Sequence, residues 1–218
     1  MADQILPPTT AGIHPEKFND DLVFAADRRY AWVILAILLA LAFGLRVTNL
    51  GSESLGEDEL NKLQTVEEYR TNGISGKNGE HPFLMKGLQT VSIVAVEKLN
   101  TAGIPSDSQI SEEAALRFPI VLFGSFTVLL IFLLVSEFFG RSIGLISAAL
   151  WAVEPMAIGF DRVAKEDSLV LFFFLLTNFL WIKSQAKAEL GVKLWRLWAY
   201  GAGIAFAALM ASKYYPFL

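Results

Sequence analysis

Tyr30 to Leu45 reads Tyr-Ala-Trp-Val-Ile-Leu-Ala-Ile-Leu-Leu-Ala-Leu-Ala-Phe-Gly-Leu, with neither a charge nor a proline. With its flanks the run reaches the roughly 17–25 residues that a helix needs to cross a bilayer. Uncharged runs recur at Phe118–Ser136, Ser168–Ile182 and Leu197–Ser212, and Ser142–Phe160 is broken only by Glu154. A soluble protein can bury one helix this apolar, but not five in 218 residues. The pattern predicts an all-α membrane protein with about five transmembrane helices.

Composition agrees. The chain is 54% hydrophobic and 18% charged, against about 25% charged in an average soluble domain. There is no cysteine, which removes disulfides and thiolate metal sites from consideration. The net charge of −4 is unevenly spread. Residues 51–113 hold eleven acidic and five basic groups, net −6, whereas Lys183, Lys187, Lys193 and Arg196 against Glu189 make the 183–196 segment net +3. Arg28-Arg29 abuts the first run. By the positive-inside rule the N-terminus is expected in the cytoplasm. The predicted order is a cytoplasmic tail over 1–29, a span over 30–50, an outer loop over 51–113 and spans over 114–136 and 142–160. An outer loop over 161–167, a span over 168–184, a cytoplasmic loop over 185–195 and a span over 196–213 follow.

Within the outer loop, Leu60, Leu63, Val66 and Tyr69 recur every three residues. That spacing predicts a short amphipathic helix from Asp58 to Arg70, ended by Asn72-Gly73. Phe83 to Leu99 is a second, more apolar helix, but Lys86, Glu97 and Lys98 make it a poor span. Both are read as juxtamembrane helices lying along the surface and bracketing a cavity. Phe138-Phe139-Gly140-Arg141 is read as a tight turn.

The expected topology brings three polar clusters to one face: Glu57-Asp58-Glu59 with His81, Glu154 through Asp167, and Lys213. Carboxylates in a first helical turn stabilise it by roughly 0.3–1 kcal/mol, and Ser54-x-x-Glu57 fits a capping box. The same position suits an ionised general base at the mouth of an apolar cavity. Arg162-Val163-Ala164-Lys165-Glu166-Asp167 reads either as a solvated turn or as cations for an anionic leaving group. His81 is an ordinary loop histidine or part of that site. Glu154 packs against a neighbour or faces a wet cavity, and Lys213 either snorkels to the interface or meets an anion.

The order of these features resembles a known family. Asp-Glu after the first span, His81-Pro82-Phe83-Leu84, Arg117-Phe118-Pro119 opening the next span, Phe139-Gly140-Arg141 and Arg162-x-Ala164-x-x-Asp167 follow one another. The arrangement is similar to the N-terminal half of GT-C glycosyltransferases of the protein O-mannosyltransferase and aminoarabinose-transferase type, over about residues 28–215. Phe83 replaces a second proline of the family's motif, and Glu154 is an additional acid. The GT-C-like fold is expected to be incomplete here, because family members continue for several more spans.

The resemblance implies sugar transfer, mannosyl or related, from a polyprenyl-phosphate donor to an acceptor protein, glycan or lipid on the extra-cytoplasmic face. Asp58 and Glu59 are the expected catalytic acids. Arg162, Lys165 and Lys213 are expected at the donor phosphate, and His81, Glu154 and Asp167 in support. A divalent cation is an open expectation, with Asp58, Glu80, His81 and Asp167 as candidate ligands. Expected partners are the donor, the acceptor, membrane lipids and a further membrane subunit, without nucleic acid. The alternatives are a non-catalytic membrane subunit, or a transporter or channel component whose Glu154 and Asp167 line an ion path.

Overall fold

The computed structural model describes residues 28–79, 81–103 and 105–214, with the side chains of Arg28 and Asp107 excepted. Most of the expected 1–29 tail, and Glu80, therefore lie outside the described residues. Among the described residues eight α-helices follow in order: α1 (Arg28–Val47), α2 (Glu57–Asn72), α3 (Phe83–Thr101), α4 (Glu112–Phe139), α5 (Arg141–Val153), α6 (Pro155–Asp161), α7 (Asp167–Glu189) and α8 (Trp195–Met210). A 3-10 turn, Ser106–Ser108, precedes α4.

Unlike in a water-soluble bundle, many large apolar side chains face outward while small ones are buried between helices. Ala31, Ala42, Ala148, Ala152, Ala202 and Ala205 are buried, while Ile37 is 63% exposed and Leu150 67% exposed. Small residues let helix backbones approach, and bulky ones face hydrocarbon, as membrane packing requires. By length and composition α1, α4 and α7 can each cross a bilayer, and the α5–α6 pair makes a fourth if counted as one span. The chain is thus an integral membrane protein; among the described residues three or up to four helices qualify, and the expected count of five is not confirmed. With its 16 residues, α8 stops short of the length a span needs.

The stretch read as one span over 142–160 is two helices bent by 61°. Pro155 has no N–H and drives Glu154 out of the helical region, so α5 ends there. Glu154 then starts α6, its Oε2 accepting from Ala157 N at 2.6 Å.

At 28 residues, α4 is the longest helix, about 42 Å at 1.5 Å per residue. It serves both cores. One joins Ala31, Leu35 and Ala42 of α1 to Val128 and Phe132 of α4 and Ala148 of α5. The other joins Val66 of α2, Met85 and Ile93 of α3, and Leu116 and Ile120 of α4 to Ala164 and Leu169. Pro119 sits inside α4 and cannot donate to Ala115 O. Ser92 Oγ of α3 takes over that carbonyl at 2.6 Å, and Gln89 Nε2 reaches Leu116 O at 3.3 Å. The proline that weakens α4 thereby creates the polar seam on which α3 docks. Gly140, at φ 82°, closes α4 and opens α5, so the tight turn expected over Phe138–Arg141 narrows to one residue.

Candidate active site

Residues 161–168 lie at one end of the bundle and tie α1, α2 and the segment after α8 together. Asp161 Oδ2 takes Arg46 Nε of α1 at 2.8 Å, and its Oδ1 takes Ser168 Oγ at 2.5 Å. Gly124 of α4 makes room for this carboxylate, since a Cβ there would lie 2.2 Å from Asp161 Cγ. Arg162 donates to Thr48 O at 2.6 Å, Arg46 O at 3.2 Å, Leu45 O at 3.3 Å and Asn49 O at 3.3 Å. These are the carbonyls that a helix C-terminus leaves unsatisfied, so Arg162 caps α1. Ala164 N donates to Glu59 at 2.8 Å, and Lys165 pairs with Asp58 at 3.0 Å. Glu166 pairs with Lys62 at 3.3 Å and approaches His81 Nδ1 at 3.6 Å. Asp167 pairs with Lys213, beyond α8, at 2.7 Å.

The two carboxylates opening α2 face different surroundings. Gly56, rather than Ser54, is the N-cap, so the expected Ser54-x-x-Glu57 box is replaced by a bond from Gly56 N to Glu59 Oε2 at 3.0 Å. Glu59 also receives Arg117 Nε and Nη2, both at 2.8 Å, one on each oxygen. The remaining Arg117 donors hold Leu50 O, Glu53 O and Ser54 O. Burial pushes the Glu59 carboxyl up, but the Arg117 fork and the backbone donors of Ala164 and Gly56 outweigh it and hold the carboxyl below its usual range. Asp58 is exposed. The hydrogen bond from Lys165, then its charge and that of Lys62, hold Asp58 low and ionised. Reciprocally, Asp58 raises Lys165, with Asp167 and Glu166 adding to its field.

The His-Pro turn is held from below. Buried Lys86 of α3 donates to Asn78 O at 2.9 Å and His81 O at 2.8 Å. Desolvation lowers its pKa in spite of the Glu166 charge nearby. Leu84 N donates to Ala211 O at 3.3 Å, which ties the start of α3 to the end of α8.

A cavity of about 430 Å³ opens between α5, α6 and α7, lined by Trp151, Glu154, Phe160, Asp161, Asp167 and Ser168 among others. A second, of about 310 Å³, shares Met156 and Phe160 with it and reaches Lys165. Asp167 thus borders one cavity, and the lysine that holds Asp58 borders its neighbour.

The structure accordingly gathers Asp58, Lys165, Asp167 and Lys213 at one end of the bundle. Arg162 and Glu59 lie there too, but with their bonding capacity committed to the scaffold. Glu154 caps α6 at the rim of the larger cavity. His81 comes nearest to Glu166, at 3.6 Å, with its charge also felt at Asp58. Among the described residues no three His, Asp or Glu side chains converge as a metal site would require. The sequence reading missed Arg46, Lys62 and Lys86 as parts of this network, quoted Arg117 only within a motif, and held Asp161 and Glu166 only within the second polar cluster. The available signal was weak: Arg46 and Arg117 are single charges at the ends of apolar runs, where an ion must find a partner.

A family model described as dolichyl-phosphate-mannose-protein mannosyltransferase matches residues 109–218. The match contains the 161–168 segment and Lys213, while Asp58 and Glu59 precede it. Over 193 residues the chain is 29% identical to a Bacillus subtilis (strain 168) protein named "Putative mannosyltransferase YkcB", a match covering 84% of this chain and 24% of that protein. The chain spans about a quarter of the length of that curated relative.

Proposed function

The chain belongs to the dolichyl-phosphate-mannose-protein mannosyltransferase family, of the GT-C type, and on that premise we propose that it is the membrane module of an inverting glycosyltransferase. It moves mannose or a related sugar from a polyprenyl-phosphate donor to an acceptor hydroxyl on the extra-cytoplasmic face, with the N-terminus in the cytoplasm. The observation that carries this reading is the pairing of Asp58 with Lys165 beside that of Asp167 with Lys213, at one end of a membrane bundle.

A proton-accepting carboxylate and a departing phosphate repel each other, more strongly near a low-dielectric interface than in water. A working site therefore needs a base on the acceptor side and cations on the donor side. Asp58 takes the proton of the acceptor hydroxyl as that oxygen bonds to the anomeric carbon. The bond from that carbon to the phosphate oxygen breaks, and its electron pair leaves with polyprenyl phosphate. Lys165 and Lys213 balance the developing charge. One displacement inverts the anomeric centre. Glu59 and Arg162 act as positioning residues, the first fixing the start of α2 and the second the end of α1. Among the described residues no metal-type set of donors converges here, and charge neutralisation is assigned to the lysines.

Transfer from a radiolabelled polyprenyl-phosphate mannose by the full-length protein tests the reading. Asp58→Asn keeps size and most hydrogen bonding, and removal of a general base typically costs about 10²–10⁴-fold in rate. Transfer at the wild-type rate would leave Asp58 a helix-end carboxylate and nothing more.

A further inference from the structure

Two apolar cavities open on the bundle, and they differ in what stands at their mouths. The larger, of about 600 Å³, lies between the end of α1, α3 and the first half of α4, and none of its lining residues, Val91 and Phe118 among them, is charged. The smaller, of about 500 Å³, lies between α7 and α8 and is walled by Val170, Phe174, Phe206, Leu209 and Met210, with Asp167 at its end. Nearer the opposite end of the bundle α7 and α8 close on each other. Phe179 meets Trp198 edge-on at 6.4 Å, and a Cβ at Gly201 would lie 3.4 Å from Leu180. The smaller cavity is thus an apolar slot that ends at the Asp167–Lys213 ion pair.

Asp167 and Leu171 also line the cavity between α5, α6 and α7. That cavity presents the indole of Trp151 and the ring of Phe160 together with the carboxylates of Glu154 and Asp167. Aromatic faces against C–H bonds, and carboxylates that accept from hydroxyls, are what a sugar ring requires. The first turn of α7 therefore separates an apolar slot from a sugar-compatible cavity, with a lysine ammonium at the divide.

We propose that the lipid donor binds astride the first turn of α7. Its prenyl tail lies in the α7–α8 slot, its phosphate on Lys213, and its sugar in the cavity walled by α5, α6 and α7. This rests on the donor class proposed above. The arriving phosphate competes with Asp167 for the Lys213 ammonium, and both the helix N-terminus and Lys165 favour an anion there. The larger cavity is rejected for the donor because none of its lining residues is charged, whereas the α7–α8 slot ends at the Asp167–Lys213 pair.

Photo-crosslinking tests the placement in the full-length protein in membranes. The reactive amino acid p-benzoylphenylalanine is placed singly at Phe174, Phe206 and Phe118, and the probe is radiolabelled polyprenyl phosphate. Labelling at Phe174 and Phe206, competed by unlabelled polyprenyl phosphate and several-fold above that at Phe118, is expected. Lys213→Ala should reduce it several-fold, and Lys213→Arg should retain it. Labelling at Phe118 instead overturns the placement and leaves the donor class intact. Equal labelling by a radiolabelled phosphatidylglycerol makes the slot an ordinary lipid crevice and overturns the proposal. Absence of competable labelling at all three positions overturns both the placement and the donor class. For the sugar, Glu154→Gln retains the oxygen that caps α6. It should weaken competition by polyprenyl-phosphate mannose but not by polyprenyl phosphate, and an equal effect on both overturns the sugar's assignment.

Discussion

Asp58 leaves 62% of its side chain exposed and holds one lysine at 3.0 Å, whereas Glu59, the next residue, leaves 4% exposed and takes bonds from Arg117, Ala164 and Gly56. Both are ionised, and they are ionised for different reasons. The Asp58 pair is open to water, contributes little to stability and can exchange partners. The Glu59 pair is dry, and separating it would leave a buried charge unpaired. The comparison teaches that an exchangeable ion pair and a fixed one can be divided between adjacent carboxylates. The base proposed at Asp58 must be able to give up its ion-pair partner, and a keystone must not.

The sharpest way to break this comparison is to remove the partner of Glu59. Arg117→Met should cost about 3–5 kcal/mol, the usual penalty for stranding one member of a buried pair. Denaturant unfolding in detergent would measure it. Arg117→Lys should recover only part of the loss, since an ammonium cannot reproduce the two-pronged contact. Stability like that of the wild type would place Glu59 with the exchangeable carboxylates.

A second test asks whether the buried side of the comparison extends to Arg46–Asp161. Gly124→Val would press a side chain into the Asp161 carboxylate, which Arg46 and Ser168 hold in place. Overpacking of this kind typically costs about 1–3 kcal/mol. A thermal melt of the purified variant reads the effect, and an unchanged melt would show that Asp161 can move aside.

Acidity separates the two carboxylates further. The folded-state pKa of Glu59 lies below its ordinary value of 4.5. The unfolded chain therefore binds the proton first as pH falls, and the Glu59 contribution is complete above that value. It is lost as pH drops through the lower, folded-state pKa. Melting temperatures should fall more steeply below pH 4.5 in the wild type than in a Glu59→Gln, Arg117→Met double variant. Parallel curves would remove Glu59 from the acid transition.

The smallest expected effect is the most discriminating. Asp58→Asn should melt with the wild type while its transfer rate collapses. A shift in melting as large as that of Arg117→Met would erase the division of labour.

Much of this arrangement was legible in the sequence and part was not. Charge-free runs exposed α1, α4 and α7, because a bilayer tolerates so little else. Apolar spacing gave α2 and α3 within a few residues, and Gly140 gave the turn after α4. Glu154-Pro155 was visible, but the extent of the bend was not, since it depends on what α6 packs against. The roles of Asp58 and Glu59 were not separable. Neighbours on a helix point roughly 100° apart, and which of them faces inward depends on where the helix begins. That start is set by Gly56 and by an arginine 58 residues downstream of Glu59. The 161–168 segment drew attention for its charges, yet its partners come from α1, α2, the His-Pro turn and the end of α8, contacts that no local pattern encodes.

Connecting segments ordinarily tolerate insertions and drift in length. The 161–168 segment should be an exception. Its side chains and one of its amides are matched to separate partners in register, so one inserted residue after Ala164 would displace Lys165, Glu166 and Asp167 from Asp58, Lys62 and Lys213 together. The short connection is therefore rigid in its arithmetic, and when relatives are superposed their gaps should fall at 73–79 instead, where the chain can lengthen without changing any pairing at this end of the bundle.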